Sequence, residues 1–149
     1  MKPIILIGCG KKKCQRKARA EWMYQGGYYA SCLSLARLLT ERNCIFILSA
    51  KYGIIPLTKT IKPYNLKITD LSKKEKVEWE KKIQRRLKKW KGRTIIFVCG
   101  KIYHSNFKGI KLLPSVGIGK QLQWMKQKIK ELKNVQNKKE NGSFRCPST

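Results

Sequence analysis

The sequence predicts a single-domain α/β protein, a three-layer sandwich in which a mostly parallel four-stranded sheet lies between helices. Three observations predict it. Short, continuous apolar runs rich in β-branched residues read as strands covered on both faces. They alternate with longer segments of helical apolar spacing, which implies right-handed crossovers and helices on both sides of the sheet. Each of the three main runs also ends in a loop carrying Gly, Lys or Ser, as strands do when their carboxyl ends border a ligand crevice.

In chain order, the run from Pro3 to Cys9 is the first strand, closed by Gly8-Cys9-Gly10. After the basic connection GKKKCQRKARA, a helix is expected from about Glu21 to Arg42, with Leu33, Leu35, Ala36, Leu38 and Leu39 on one side. Cys44 to Leu48 is the second strand, and the stretch after it, SAKYGIIPLTKTIKPYNLKI, has no regular period. Asp70 or Ser72 caps a basic helix running to about Trp90, with Leu71, Val77, Ile83, Leu87 and Trp90 as its apolar stripe. Arg93 to Gly100 is the third strand, Tyr103 to Phe107 a short helix, and Ile110 to Leu113 a fourth strand ended by Pro114. The last helix opens at Gly117-Ile118-Gly119 and covers about 118–134, with Leu122, Met125, Ile129 and Leu132 inward. The domain therefore spans 1–134, and the polar stretch 135–149 reads as a disordered tail.

Charge narrows the function. The chain has 149 residues, with 35 Lys+Arg against 8 Asp+Glu and a net charge of +27. A surface so cationic repels itself unless a polyanion is at hand, which makes nucleic acid or a nucleotide the expected partner. No apolar run is long enough for a membrane span or a secretory signal, so a cytoplasmic, reduced protein without membrane association is expected. Six cysteines fit that setting: Cys9, Cys44 and Cys99 flank apolar runs, no C-x-x-C occurs, and His104 is the sole histidine. No metal site and no cofactor is expected from such spacing, and the oligomeric state is left open. The phosphate-loop, dinucleotide and zinc-deaminase signatures are all absent.

The candidate site gathers where the strands end. Lys11, Lys12 and Lys13 follow the first strand, Ser49, Lys51, Tyr52 and Gly53 the second, and Gly100, Lys101 and Tyr103 the third. Lysines and glycine-flanked backbone amides suit phosphate, tyrosines suit base stacking, and Gly117 with Gly119 offers free amides at a helix start. Cys9 stands at the same rim, either as a small buried side chain or as a thiol close to lysines.

Several segments carry a resemblance: LIGCGKKK, EWMYQGGYY, SAKYGII with the downstream IKPYNL, CGKIY and GIGKQLQWM. Together they resemble a family of small uncharacterised domains from bacteria and phages, the domain of unknown function 6884 type, over about residues 5 to 126. The SAKYGII–PYNL pair is also distantly similar to the S-A-x-Y-G-[LI]-[LI]…P-Y signature of the peroxide-stress protein YaaA family, whose members are linked to DNA binding. The wider similarity implies a relation to uracil-DNA-glycosylase-like folds and to base-modifying transglycosylase systems, and the expected sandwich is uracil-DNA-glycosylase-like or flavodoxin-like. The resemblance maps onto Cys9, Lys12, Glu21, Tyr24, Ser49, Lys51, Tyr52, Gly53, Pro63, Tyr64, Gly100, Tyr103, Gly117 and Gly119. Asn65 stands where similar sequences often carry Asp. On the enzyme reading, N-glycosidic chemistry, Glu21 steadies a sugar cation or activates water, Lys51 receives the base or phosphate, Tyr52 stacks, and Asn65 reads a base edge. The alternative is a basic DNA- or RNA-binding module without turnover, and DNA, RNA and free nucleotide all remain open.

Overall fold

The computed structural model describes residues 1–143. The chain begins with β1 (Ile4–Gly8), β2 (Lys12–Lys13), β3 (Ala18–Arg19), α1 (Ala20–Met23), β4 (Tyr24–Gln25) and α2 (Gly27–Leu39). It continues with β5 (Ile45–Ser49), β6 (Gly53–Pro56), β7 (Thr60–Ile61) and α3 (Lys73–Lys88). Last come β8 (Ile95–Val98), α4 (Lys101–His104), β9 (Ile110–Lys111) and α5 (Ile118–Ser143).

The central sheet has five strands in the order β6-β5-β1-β8-β9. β1 pairs in parallel with β5 and β8, and β8 with β9, as the crossovers require. The expected count of four omitted β6, which runs antiparallel to β5 with Ser49 opposite Gly53. Three turn residues connect the two strands, and Gly53, at φ 75°, takes the left-handed position that ends such a turn. A run as short as GIIP, ending in Pro56, gives little strand signal, and its proline is tolerated because β6 is an edge strand.

Successive side chains of β1 point to opposite faces, and both faces are covered. Ile5 and Ile7 pack with Leu35 and Ala36 of α2 and Met125 of α5. Ile4 and Leu6 pack with Trp79 and Ile83 of α3 and with Phe107. This two-sided burial explains the unbroken apolar run, and each fully buried Ile or Leu contributes about 1.5–3 kcal/mol. The Trp79 indole N–H donates to the Ser49 carbonyl at 2.9 Å, so α3 is pinned at the carboxyl end of β5.

Counted along the chain, the parallel strands lie in the order second, first, third, fourth. The connections from the ends of β1 and β8 therefore run to opposite sides, and a topological switch point forms between those ends. Two small ribbons lie outside this sheet, and the first of them borders the switch point. β2 pairs with β4, setting Lys13 opposite Tyr24, and β3 pairs with β7, setting Ala18 opposite Ile61.

Helix boundaries also differ from expectation. The helix expected from Glu21 is split, because Gly26 at φ 127° separates the single turn α1 from α2. Ser72, not Asp70, caps α3, accepting from the Glu75 amide while the Glu75 carboxylate accepts from Ser72 N–H. The short helix after β8 is Lys101–His104, earlier than expected. The final helix continues past 134 to Ser143, with 135–140 exposed. The rest of the expected tail, 144–149, lies outside the described residues.

Candidate functional site

Gly8 ends β1 without a side chain, and a Cβ there would lie 3.1 Å from Cys99 Cβ and 3.4 Å from the Tyr103 ring. Its absence lets α4 lean Tyr103 over the end of β1. The Tyr103 hydroxyl then lies 3.3 Å from Cys9 Sγ. Burial pushes the Tyr103 phenol well above its ordinary range, so it stays protonated at neutral pH.

At the end of β5, Ser49 is fully buried, and its Oγ accepts from the amides of Lys51 at 3.2 Å and Tyr52 at 3.1 Å. Ser49 Oγ is also 2.7 Å from the Tyr64 hydroxyl, which lies 2.7 Å from the Tyr24 hydroxyl. Three hydroxyls from three distant segments thus form one chain. Burial raises the pKa of both phenols, keeping the chain neutral.

Cations stand over these rings. Lys13 Nζ is 4.5 Å from the Tyr64 ring centre and 5.8 Å from that of Tyr24. Lys51 Nζ is 5.9 Å from the same Tyr64 ring and 5.4 Å from Tyr52, whose ring meets Tyr64 edge-on. Partial burial holds the Lys13 ammonium below the usual lysine range, and the neighbouring Cys9 opposes that shift.

Two cavities open beside this cluster, sharing Cys9, Gly10, Lys11, Ile102 and Tyr103. One, of about 310 Å³, is lined further by Lys13, Asn65, Leu66, Lys67, Ile68 and Thr69. The other, of about 410 Å³, reaches Lys12, Gly26, Gly27, Tyr28, Gly100 and Ile118. The crevice carries lysines on a mostly apolar lining, at the volume that small ligands occupy.

The structure thus brings together Cys9, Lys11, Lys12, Lys13, Tyr24, Ser49, Lys51, Tyr52, Tyr64, Asn65, Gly100 and Tyr103. Gly53 shapes the turn, and its missing Cβ faces Lys82. Lys101 is exposed at the start of α4, while Gly117 and Gly119 are exposed on either side of Ile118. Glu21 is not brought to the crevice. Its buried carboxylate is gripped by Arg42 Nη2 at 2.6 and 2.8 Å, just before the amino end of β5 and away from Ser49. None of the other carboxylates lines either cavity. Asp70 accepts from the Lys67 amide at 2.9 Å. Among the described residues, no cluster of His, Cys, Asp and Glu is large enough to hold a metal.

Sequence reading missed Ile102, Leu66, Ile68 and Tyr28. Their signal was weak, since isolated apolar residues in loops and at helix starts look like core. The Gly26-Gly27 pair before Tyr28 was the available clue, because paired glycines open a wall beside a ligand space.

The fold and crevice define a class: an α/β domain with a basic, tyrosine-rich cleft at a switch point. The chain belongs to a family of unknown function, DUF6884, whose model matches residues 4–127, a span that contains the whole site. No curated protein and no solved structure matches it. No helix among the described residues is long and apolar enough to cross a membrane.

Proposed function

We propose that the crevice binds one nucleotide unit of a nucleic acid, with basic surfaces such as that of α3 holding neighbouring phosphates. One observation carries this reading: Lys13 and Lys51 converge on the Tyr64 ring, and no carboxylate among the described residues lines the two cavities beside Lys13, whereas the cleft that Lys51 shares with α3 holds Glu75 and Glu78 among three lysines and an arginine. Two ammonium groups over one aromatic wall leave unbalanced charge that a phosphate offsets, and the wall offers a face or edge to a base. The net charge of +27 favours a polymer over a free nucleotide. The order of the parallel strands supports the flavodoxin-like expectation, which shares it. Kinship with uracil-DNA-glycosylase-like folds and the peroxide-stress family rests on the resemblance of the SAKYGII–PYNL residues alone.

The test is binding of labelled single- and double-stranded oligonucleotides across salt concentrations. The reading expects log affinity to fall against log salt by about 0.7 per contacted phosphate on single strands and about 0.9 on duplex. A flat salt response contradicts it.

A base-modifying enzyme is the second reading, favoured by the Ser49–Tyr64–Tyr24 chain, which can hydrogen-bond a departing base. N-glycosidic cleavage also needs a carboxylate or phosphate near the sugar, and Arg42 holds Glu21 away from the crevice. The substrate's own phosphate would have to supply that charge. Incubation with plain and modified DNA and RNA, followed by analysis for released bases, decides it. Absence of product with binding intact leaves the binding module.

A further inference from the structure

The hydroxyl chain has a direction. Ser49 Oγ has two lone pairs, and the amides of Lys51 and Tyr52 already use them. Its own proton must therefore go to Tyr64, because Ser49 is fully buried and its hydroxyl has no other hydrogen-bond partner among the described residues. Tyr64, accepting from Ser49, donates to Tyr24. Tyr24 accepts there, and its own proton is left without an acceptor among the described residues although the residue is only 3% exposed. A donor left unsatisfied at such depth is costly unless a bound group completes it.

The surroundings say what that group is. Lys13 covers the Tyr24 and Tyr64 rings, and the same side chain lines the smaller cavity. Among the described residues its ammonium has one hydrogen bond, to the Lys11 carbonyl at 3.3 Å, which leaves donors for a ligand. We propose that the corner between Tyr24 and Lys13 is an oxyanion seat which takes the phosphate of the bound nucleotide, with Tyr24 held as a donor by the chain that begins at Ser49. The base then lies outward, along Leu66, Ile68 and Asn65. The inference rests on the nucleotide-binding reading and adds to it which end of the ligand points inward. Tyr24 is a binding residue in this scheme, while Ser49 and Tyr64 are positioning residues that act through it.

The experiment measures equilibrium binding of uridine 5′-monophosphate, uridine and inorganic phosphate to the full chain, with wild type, Tyr24→Phe and Tyr64→Phe. Tight binding of the monophosphate relative to uridine, with competition by inorganic phosphate, is expected. Tyr24→Phe should weaken the monophosphate and phosphate about tenfold and leave uridine unchanged. Tyr64→Phe, which frees Tyr24 to turn either way, should weaken the same two probes by a smaller factor, about threefold. Should Tyr24→Phe not fold, Lys13→Gln reads the same loss from the other side of the corner. Equal affinity for uridine and its monophosphate, or unchanged phosphate binding in both tyrosine variants, overturns the seat and leaves the nucleotide crevice standing. If neither the monophosphate nor an oligonucleotide binds wild type, the seat and the crevice reading fall together.

Discussion

Lys13 Nζ and the centre of the Tyr64 ring are 4.5 Å apart, which joins β2 to the connection between β7 and α3. Lys51 reaches the same ring from the turn after β5. Among the described residues, neither ammonium forms an ion pair within 4 Å. Mutual repulsion there is relieved either by a bound anion or by loss of one charge. Lys13→Gln should therefore weaken oligonucleotide binding about five- to tenfold without lowering the thermal unfolding midpoint. A destabilised variant with unchanged binding would show that Lys13 serves packing alone.

The same lysine sets a pH dependence. Burial lowers its pKa from the ordinary 10.5, so the ammonium loses its proton earlier than a solvated lysine. Anion affinity should decline as pH rises through that lowered value, and Lys13→Arg should keep it intact to higher pH. For stability the sign is opposite. Between the folded and unfolded pKa values the unfolded chain binds more protons, so the burial penalty, fully present below the folded value, is relieved as pH rises. Affinity and urea midpoint measured from neutral pH to pH 10.5 check both slopes.

Glu21 and Arg42 form a structural pair whose partners are unequally exposed, 4% for the Glu21 side chain and 52% for Arg42. Arg42→Ala strands a buried carboxylate and should cost on the order of 2–3 kcal/mol, whereas Glu21→Gln leaves only an exposed guanidinium to rehydrate and should cost less. Urea unfolding measures the difference. Oligonucleotide binding by the folded fraction should be unchanged in both, and a selective loss with Glu21→Gln would return this carboxylate to the chemistry.

Gly8→Ala tests the closure of β1 against β8. The added methyl meets Cys99 and the Tyr103 ring, so Tyr103 must tilt away from Cys9. The expected result is about 1–3 kcal/mol of destabilisation with weaker ligand binding, read by unfolding and titration together. Full retention of both would mean that Tyr103 does not shape the crevice.

Ser72→Ala removes one side of the capping box on α3 and should cost about 1 kcal/mol by chemical denaturation. Because Ser72 lies at the start of α3 while the Trp79–Ser49 and Lys82–Gly53 contacts hold the middle of that helix against the site, affinity in the crevice should hold.

The sheet and its crevice were legible because parallel strands buried on both faces leave continuous runs, and Gly8, Ser49 and Gly100 mark where those runs end. β6 was not legible, since four residues closing on Pro56 resemble a loop until Ser49 and Gly53 are seen paired. Glu21 misled for a related reason. Its motif places it three residues before Tyr24, and the turn between them sends Tyr24 to the crevice and Glu21 to Arg42. The partnership of Ser49, Tyr24 and Tyr64 has no local signature, because two-residue ribbons and tertiary hydrogen bonds create it.

The most direct test of the account labels the ζ carbons of the six tyrosines and titrates the protein with uridine 5′-monophosphate. The account predicts saturable shifts of the Tyr24, Tyr64 and Tyr103 resonances, abolished for Tyr24 in Tyr24→Phe. Saturable binding that leaves those three signals in place would contradict it.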